Sequence, residues 1–580
     1  LLKLSKKYLV WSAVIAAVLF LIVQVACDLY LPTVTANIID NGVAKNNIGY
    51  IWSEGFKMLF VAMIGVLAAA GNIYFAATQS QKMGKKIRSA MYRKIMYLSD
   101  QDLDKFGDAS LITRNTNDVV QIQNVMIQVL RMMFMSPIML IGAISLAFIK
   151  SPRLTIVFFV SLIVLAIVVV IIMSFAGPLF KKLQSKTDKL NLIFREGLTG
   201  VRVIRAFNRD KYEQQRFDGQ NRNYASNGIK VFMIVSLMFP IMTLILSGTN
   251  VGIVWFGAKM ISNNALAVGN LVAFMTYATQ ILISFMMLSF MFVFIPRASA
   301  SAKRINEVLE VETSIKDPED DRNQNLADKE SSLSFEHVNF KYGQDNHLAL
   351  EDINFSAKRG QTVAIIGETG SGKSSLVNLV PRLYDVTSGE IKLNGLPIQN
   401  ISQAELHRNI SITQQKAVLF TGTIRENMQY GNEHATDDEI WEALKVAKAD
   451  EFVNDEIGGL DAPVEQNGNN FSGGQKQRLV IARTILKNAS VYIFDDSFSA
   501  LDFKTDAELR MALNKNAKIQ NAITLIVAQR ISTVANADLI LVLRDGKLVG
   551  SGTHDELANN NPVYRAILDS QLKKGGANNG

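Results

Sequence analysis

The sequence is poor in the residues that staple, break or charge a fold. One cysteine in 580 residues excludes a disulfide framework and any multi-cysteine zinc or iron–sulfur site. Eleven prolines exclude collagen-like or proline-rich material. Charged residues make up only 19% against 49% hydrophobic, far too apolar for a disordered chain and high for an ordinary soluble domain. Lys plus Arg number 60 and Asp plus Glu 52, a formal net charge of +8. Such an excess fits either a nucleic-acid partner or the cytoplasmic face of a membrane protein, and the placement of the charges decides between them.

What is present is a run of long apolar stretches. Six of them, Val10–Leu31, Met58–Ala76, Val125–Ile149, Leu154–Phe175, Val231–Phe256 and Leu271–Ile295, approach or exceed the roughly 20 residues that span a ~30 Å hydrocarbon core. The first follows Lys3, Lys6 and Lys7 as a signal peptide would. It is too long and lacks a clean small-residue cleavage pattern, so it is expected to be a retained span. Residues 80–120 carry eight Lys or Arg and residues 179–228 carry eleven, whereas the other connections hold only Lys45, then Lys150 and Arg153, then Lys259. The positive-inside rule then places the two long loops, about 80–124 and 179–228, and both termini in the cytoplasm of a multi-pass plasma-membrane protein. The basic residues follow this topology, and no nucleic-acid partner is expected. Charged and apolar residues alternate at helical spacing through 82–124 and 180–228, so spans two to five are expected to continue as helices into the cytoplasm. Methionines crowd two spans, Met132, Met133, Met135 and Met139 in one and Met286, Met287 and Met291 in another. They suit either a permissive apolar cavity or plain helix packing. Asp28 and Arg131 are ionisable groups within spans and face protein or water, or lie near an interface.

The composition changes after about residue 310. Asp317–Lys329 is acidic and without apolar period, which predicts a solvated linker, about 311–332, between a membrane domain, 1–310, and a soluble α/β domain, 333–572. Strands are expected at Leu333–Val338, Val363–Ile366 and Val491–Phe494, a helix at Ser374–Leu379, and a loose tail over 573–580. The strongest motif is Gly367-Glu368-Thr369-Gly370-Ser371-Gly372-Lys373-Ser374, directly after an apolar strand and opening a helix into Ser375. That context makes it a nucleoside-triphosphate loop: glycines let backbone N–H groups face the phosphates, Lys373 supplies a point charge, and the Ser374 hydroxyl can ligate Mg²⁺. Asp495 ends the apolar strand Val491–Asp495, where a carboxylate can hold Mg²⁺ through water. Phe471-Ser472-Gly473-Gly474-Gln475 precedes a helix whose start carries Lys476 and Arg478.

Taken with the six spans, these motifs resemble the ATP-binding cassette transporters of the exporter type, over nearly the whole chain. The resemblance implies six long membrane helices plus an α/β P-loop ATPase cassette with a helical subdomain, one half of a dimer, using ATP and Mg²⁺. It implies that Tyr342 stacks on adenine and that Gln415 touches both Mg²⁺ and the interface to the membrane domain. Glu465-Gln466-Asn467-Gly468 would be the loop that contacts the membrane part. Phe471–Gln475 resembles the signature, with Phe471 where Leu is usual, and Ser499-Ala500-Leu501-Asp502 the loop that crosses the dimer. Leu111–Asp118 and Glu196–Ala206 look like the two intracellular loops that would carry the coupling helices.

Two positions depart from that pattern. The residue after the Mg²⁺ aspartate is usually Glu and here is Asp496; the switch histidine before Arg530 is here Gln529. Aspartate keeps the charge but withdraws the carboxylate by on the order of 1 Å, a displacement that can lower a rate by ~10²-fold. Glutamine can donate a hydrogen bond but carries no positive charge. In the family each ATP lies between the P-loop of one cassette and the signature of the other. This chain's own P-loop site is therefore expected to bind ATP and hydrolyse it slowly, while Ser472, Gly473, Gly474 and Gln475 complete the site of a second half-transporter that has the Glu and the His. The resemblance extends to heterodimeric bacterial multidrug exporters, which implies a bacterial membrane and an amphiphilic small-molecule substrate. A lipid or peptide exporter, an importer on the same fold, and an ATP-binding regulator without flux remain alternatives.

Overall fold

The computed structural model describes residues 1–318, 331–343 and 347–576. By its contacts the chain divides into two compact units, Leu1–Met96 with Ala109–Val311, and Tyr97–Asp108 with Glu312–Gly580.

In the first unit, six helices among the described residues are long and apolar enough to cross a membrane: Trp11–Val43, Ile48–Met96, Asp108–Lys150, Pro152–Thr199, Asp210–Ser262 and Val268–Glu310. At 1.5 Å per residue, the 49 residues of Ile48–Met96 reach about 70 Å, more than twice a ~30 Å hydrocarbon core. The apolar runs thus mark only the membrane-crossing part of each helix, and the charged and apolar alternation beyond them continues the same helix.

Residues 82–124 are consequently the end of one long helix and the start of the next. Leu111–Asp118, expected to be the first coupling segment, lies inside Asp108–Lys150, where the α-helix passes into a π-helical turn at Arg114–Asp118. The chain turns earlier. Ser99 caps the short helix Asp100–Phe106 by accepting the Asp102 N–H (3.3 Å), and Gly107, at φ 71, ends it. One glycine inside a continuous helical pattern is a weak signal, so the pattern alone does not mark this turn within 80–124. The second interruption is the short helix Val201–Ala206, between Pro152–Thr199 and Asp210–Ser262 and within the expected Glu196–Ala206.

Lipid is as apolar as leucine, so these helices pack through small residues and polar ties. Ala17, Ala36, Ala143, Ala147, Ala273 and Ala278 are all buried, and Phe158 stacks on Phe274 with ring centres 5.7 Å apart. Arg304 and Ser301 of the sixth helix donate to the Asp118 carboxylate of the third, and Arg114 donates to Glu307 at 3.0 Å. Met139 and Met291 are buried in helix packing, with Met135 and Met286 lying against apolar clusters. Asp28 is half-buried and its backbone carbonyl accepts the Gln280 amide at 2.9 Å; Arg131 sits in a π-helical turn, Val129–Met133.

The second unit is built on strands β1 Ser332–Phe340, β2 Leu350–Lys358, β3 Thr362–Gly367, β4 Ser388–Leu393, β5 Leu396–Pro397, β6 Ile410–Thr413, β7 Gly422–Thr423, β8 Pro463–Val464, β9 Val491–Asp495, β10 Ile523–Val527, β11 Leu539–Arg544 and β12 Lys547–Gly552. Ten of them form one sheet in the order β5-β4-β1-β2-β12-β11-β3-β10-β9-β6, and β7 pairs with β8 alone. Its heart is parallel: β3 lies between β10 and β11, and β9 lies between β10 and β6. Parallel strands are covered on both faces, which is why β3, β9 and β10 read as almost unbroken apolar runs. Their carboxyl ends therefore emerge side by side, the usual place for a ligand in such a sheet. Beyond the sheet, Ile424–Gln429, Asp437–Val446, Asp450–Asp455 and Gly473–Leu486 form the helical part.

Two boundaries differ from expectation. Most of the linker, residues 319–330, lies outside the described residues. Its first part is not free: Ile315 is buried, Asp317 accepts the Gln403 N–H at 2.8 Å, and the segment clusters with the second unit from Glu312 onward. At the other end the helix Pro562–Gly576 continues past 573, because nothing breaks it before Gly575 and Gly576; residues 577–580 lie outside the described residues.

Candidate nucleotide site

β3 ends at Gly367, and the next turn is closed so tightly that glycine is required. A Cβ at Gly367 would stand 2.2 Å from the Leu543 carbonyl oxygen, and one at Gly372, where φ is 96, would stand 2.8 Å from that of Ala349. Glu368, Thr369 and Gly370 form the exposed arch of the loop and Ser371 is buried beneath it. Lys373 opens the helix Lys373–Leu379 and is itself buried, its Nζ donating to the carbonyls of Gly367 (2.9 Å) and Glu368 (2.7 Å). Burial lowers the pKa of this ammonium, against the pull of the Asp496 and Asp495 carboxylates.

Asp495 ends β9 with only 4% exposure, and the Ser374 hydroxyl donates to it at 3.1 Å. Burial raises its pKa; the Ser374 bond opposes the rise, the neighbouring Asp496 charge adds to it and Lys373 opposes it. A buried carboxylate with one hydroxyl partner is a hard oxygen donor set suited to Mg²⁺ that takes its remaining ligands from water and phosphate. Among the described residues no group of three His, Cys, Asp or Glu is placed to hold a metal ion.

The two departing positions meet. β10 pairs with β9 in the register Val527 to Asp495, so the residues just past each strand end become neighbours. Asp496 adopts φ 47, a left-handed conformation that aspartate tolerates better than most residues, and its N–H donates to the Val527 carbonyl at 3.1 Å. Its Oδ2 accepts the Gln529 side-chain amide at 2.9 Å and that of Gln415 at 3.5 Å. Burial raises the Asp496 pKa, with the Gln529 bond, the Lys373 charge, and the Gln415 and Ser499 bonds all opposing. Asp496, Gln529 and Gln415 thus form one cluster beside Lys373 and Asp495.

Tyr342 is 41% exposed, and its hydroxyl donates to Ser375 at 2.8 Å, which ties the ring to the P-loop helix. Tyr384 stands edge-on to it, ring centres 5.2 Å apart. Burial, with the Asp100 and Asp104 charges adding, pushes the Tyr384 hydroxyl up to about 12. No motif in the sequence marks Tyr384. It reaches the site through the turn after the P-loop helix.

The signature is organised locally. Ser472 caps the helix Gly473–Leu486 in a reciprocal box: its hydroxyl accepts the Gln475 N–H (3.3 Å) and the Gln475 side chain accepts the Ser472 N–H (2.8 Å). Phe471 is buried, so the place usual for leucine keeps an apolar anchor. Gly473 has open space around it, and a Cβ at Gly474 would stand 3.4 Å from the Ala500 carbonyl oxygen. The loop Ser499–Asp502 joins the two regions. Ser499 donates its hydroxyl to the Asp496 carbonyl at 2.9 Å, Leu501 is buried, and Asp502 caps the helix Phe503–Lys515 by accepting the N–H groups of Lys504 (3.1 Å) and Thr505 (3.0 Å). In Glu465–Gly468, Asn467 takes φ 58 and Gly468 is buried.

Residues 14–285 match the family described as the ABC transporter transmembrane region, and residues 350–499 match the family described as ABC transporter. A protein of Mycobacterium tuberculosis described as an uncharacterized ABC transporter ATP-binding protein is 38% identical over 553 residues, 95% of this chain and 94% of its own. A Bacillus subtilis protein described as a probable multidrug resistance ABC transporter ATP-binding/permease protein is 32% identical over 578 residues, 97% of this chain and 96% of its own. A solved bacterial Atm1-family ABC exporter with ATP bound shares the fold with a TM-score of 0.81 at 24% identity, over 97% of this chain and 98% of that one.

Proposed function

The chain belongs to the ABC transporter family, a half-transporter of exporter fold with six membrane helices and one cytoplasmic cassette, and from that premise we propose that it is the slow-site subunit of a heterodimeric exporter. Its ATPase cassette takes ATP and Mg²⁺: Lys373 and the P-loop N–H groups hold the phosphates, Tyr342 offers its ring to adenine, and Ser374, Asp495 and Gln415 hold the ion. Mg²⁺ bound there would neutralise charge on the phosphates. The weak step is activation of water. One observation carries this reading: the Asp496 carboxylate oxygen is engaged by the Gln529 amide at 2.9 Å. The carboxylate is a methylene shorter than Glu and is drawn toward a neutral amide with no positive charge to offer the γ-phosphate.

The signature supports the second half of the reading. Ser472–Gln475 is intact and pre-capped, suited to a partner whose own site carries the Glu and the His. The helix Val201–Ala206 has no buried residue, and Val203 and the following Phe207 are 60% and 74% exposed, as an element that docks on a second chain would be. Closure of the two cassettes on ATP would open the spans outward, and hydrolysis at the partner's site would reset them. An amphiphilic compound as the cargo is favoured by the multidrug description of the Bacillus relative; the methionines do not add to it, since several serve helix packing.

Steady-state ATPase of the purified chain in lipid, with ATP binding measured in parallel, tests the proposal. Tight binding with negligible turnover is expected. Turnover at the rate of an ordinary exporter would make the chain a self-sufficient homodimeric pump.

A further inference from the structure

The switch position is reached by a loop whose backbone has an unusual support. After β10 the chain runs through Ala528, Gln529, Arg530 and Ile531. Ala528 and Ile531 are buried, but Gln529 between them is exposed and faces a cavity of about 960 Å³ lined by Asp496, Arg530, His554, Leu568 and Gln571 among others. On that side the loop borders the cavity, and polar contacts hold its backbone. Arg510 donates to the Ser532 carbonyl at 2.7 Å and Arg530 lies over the Phe503 ring at 4.6 Å, but both act beyond Gln529.

The contact that acts at Gln529 comes from the last helix. The Gln571 Nε2 donates to the Gln529 carbonyl at 2.8 Å, and the Gln571 Oε1 accepts the Ile531 N–H at 2.9 Å. One side-chain amide thereby pairs with a carbonyl and an N–H of the same loop, as a neighbouring strand would. Only a primary amide offers a donor and an acceptor in one plane for this purpose. A glutamate would keep the shape and the acceptor but set a carboxylate against the Gln529 carbonyl.

Gln571 is also well placed to act as a fixed strut. Two turns earlier on the same helix, Tyr564 is fully buried, its hydroxyl 2.7 Å from His554 Nδ1, and its N–H donates to Asn561 Oδ1 at 2.9 Å. Ile567 and Leu568, between them, pack on the core. The spacing of seven returns Gln571 to the anchored face of the helix.

We propose that Gln571 is a positioning residue for the hydrolytic site. By holding the Gln529 carbonyl and the Ile531 N–H it sets where the Gln529 amide meets Asp496, and through them it acts on the attacking water. The last helix is then part of the site's framework and couples its own seating to the chemistry, without touching nucleotide. This rests on the reading of Gln529 as the switch residue, and it holds whether that site turns over slowly or fast.

The test is single-turnover ATP hydrolysis by the full-length chain in lipid, with the ATP dissociation constant measured alongside. Gln571→Glu, near-isosteric, and Gln571→Ala are each placed in three backgrounds: native, Gln529→Ala, and D496E/Q529H. Loss of one positioning contact is expected to slow hydrolysis about five- to tenfold in the native and D496E/Q529H backgrounds, with the ATP dissociation constant held within about twofold. In the Gln529→Ala background the same change is expected to alter the rate by less than about twofold, because the side chain it positions is gone. An equal fall with and without the Gln529 side chain would make Gln571 a purely structural residue and overturn the proposal. So would unchanged rates in the D496E/Q529H background. Whether D496E/Q529H alone speeds the chain is a separate comparison, and it decides the slow-site reading independently of Gln571.

Discussion

The cassette carries two functional regions that are built in opposite ways. The signature, Ser472–Gln475, is made by neighbours in sequence: a serine, two glycines and a glutamine that cap their own helix. The cluster beside the P-loop is made by residues brought from far apart, Asp496 after β9, Gln529 after β10 and Gln415 after β6, held by Asp496 accepting two amides. The first is intact and the second carries both departures from the family's pattern. Asp496 and Gln529 are bonded to each other, and a histidine or a longer acid at one position alters the partner available to the other.

Three substitutions sharpen or break that contrast. The largest effect is expected at the P-loop. Lys373→Ala removes a buried ammonium that would meet the phosphates, and ATP affinity is expected to fall about a hundredfold or more, read by equilibrium nucleotide binding. Retained affinity would mean that the backbone of the loop alone holds the phosphates. Next comes the joint between the short helix Asp100–Phe106 and the segment entering the cassette. Burial pushes the Asp102 carboxyl up, but bonds from Lys105, the Ser314 N–H, Ser99 and the Ser314 hydroxyl outweigh it and hold its pKa at about 2, below the ordinary 3.8. A depressed carboxylate stabilises the fold above its ordinary pKa. That stability, about 2 kcal/mol at neutral pH, is lost as pH falls from about 4 toward 2. Asp102→Asn is expected to lower the melting temperature at pH 7 and to flatten the acid limb of the melting profile, which thermal unfolding against pH would read. The smallest effect is at the signature. Ser472→Ala removes the helix cap and should destabilise the cassette by about 1 kcal/mol while ATP affinity at Lys373 is held. A matching loss of ATP affinity in the isolated chain would show that its signature completes a site within a homodimer.

The contrast also explains what could be read from the sequence. Gly367–Ser374, the apolar strand ending at Asp495 and the signature are contiguous, and each carries its own physical reason to form. The long helices follow from apolar runs and the charged period beyond them. What escaped was set by single residues or by distance. Gly107, one glycine inside a continuous helical pattern, ends the short helix Asp100–Phe106 that makes the first turn. Tyr384 and Gln571 reach the site from elements with no motif, and the meeting of Asp496 with Gln529 depends on the parallel register of β9 and β10. The segment Glu312–Asp317 reads as linker by composition, yet Ile315 and Asp317 seat it on the cassette.

The most direct test of a slow P-loop site is single-turnover hydrolysis by the native chain beside the D496E/Q529H chain, in lipid at saturating ATP. Restoring the longer carboxylate and the imidazole is expected to raise the rate by about a hundredfold at unchanged ATP affinity. Equal rates, with the native chain already fast, would contradict it.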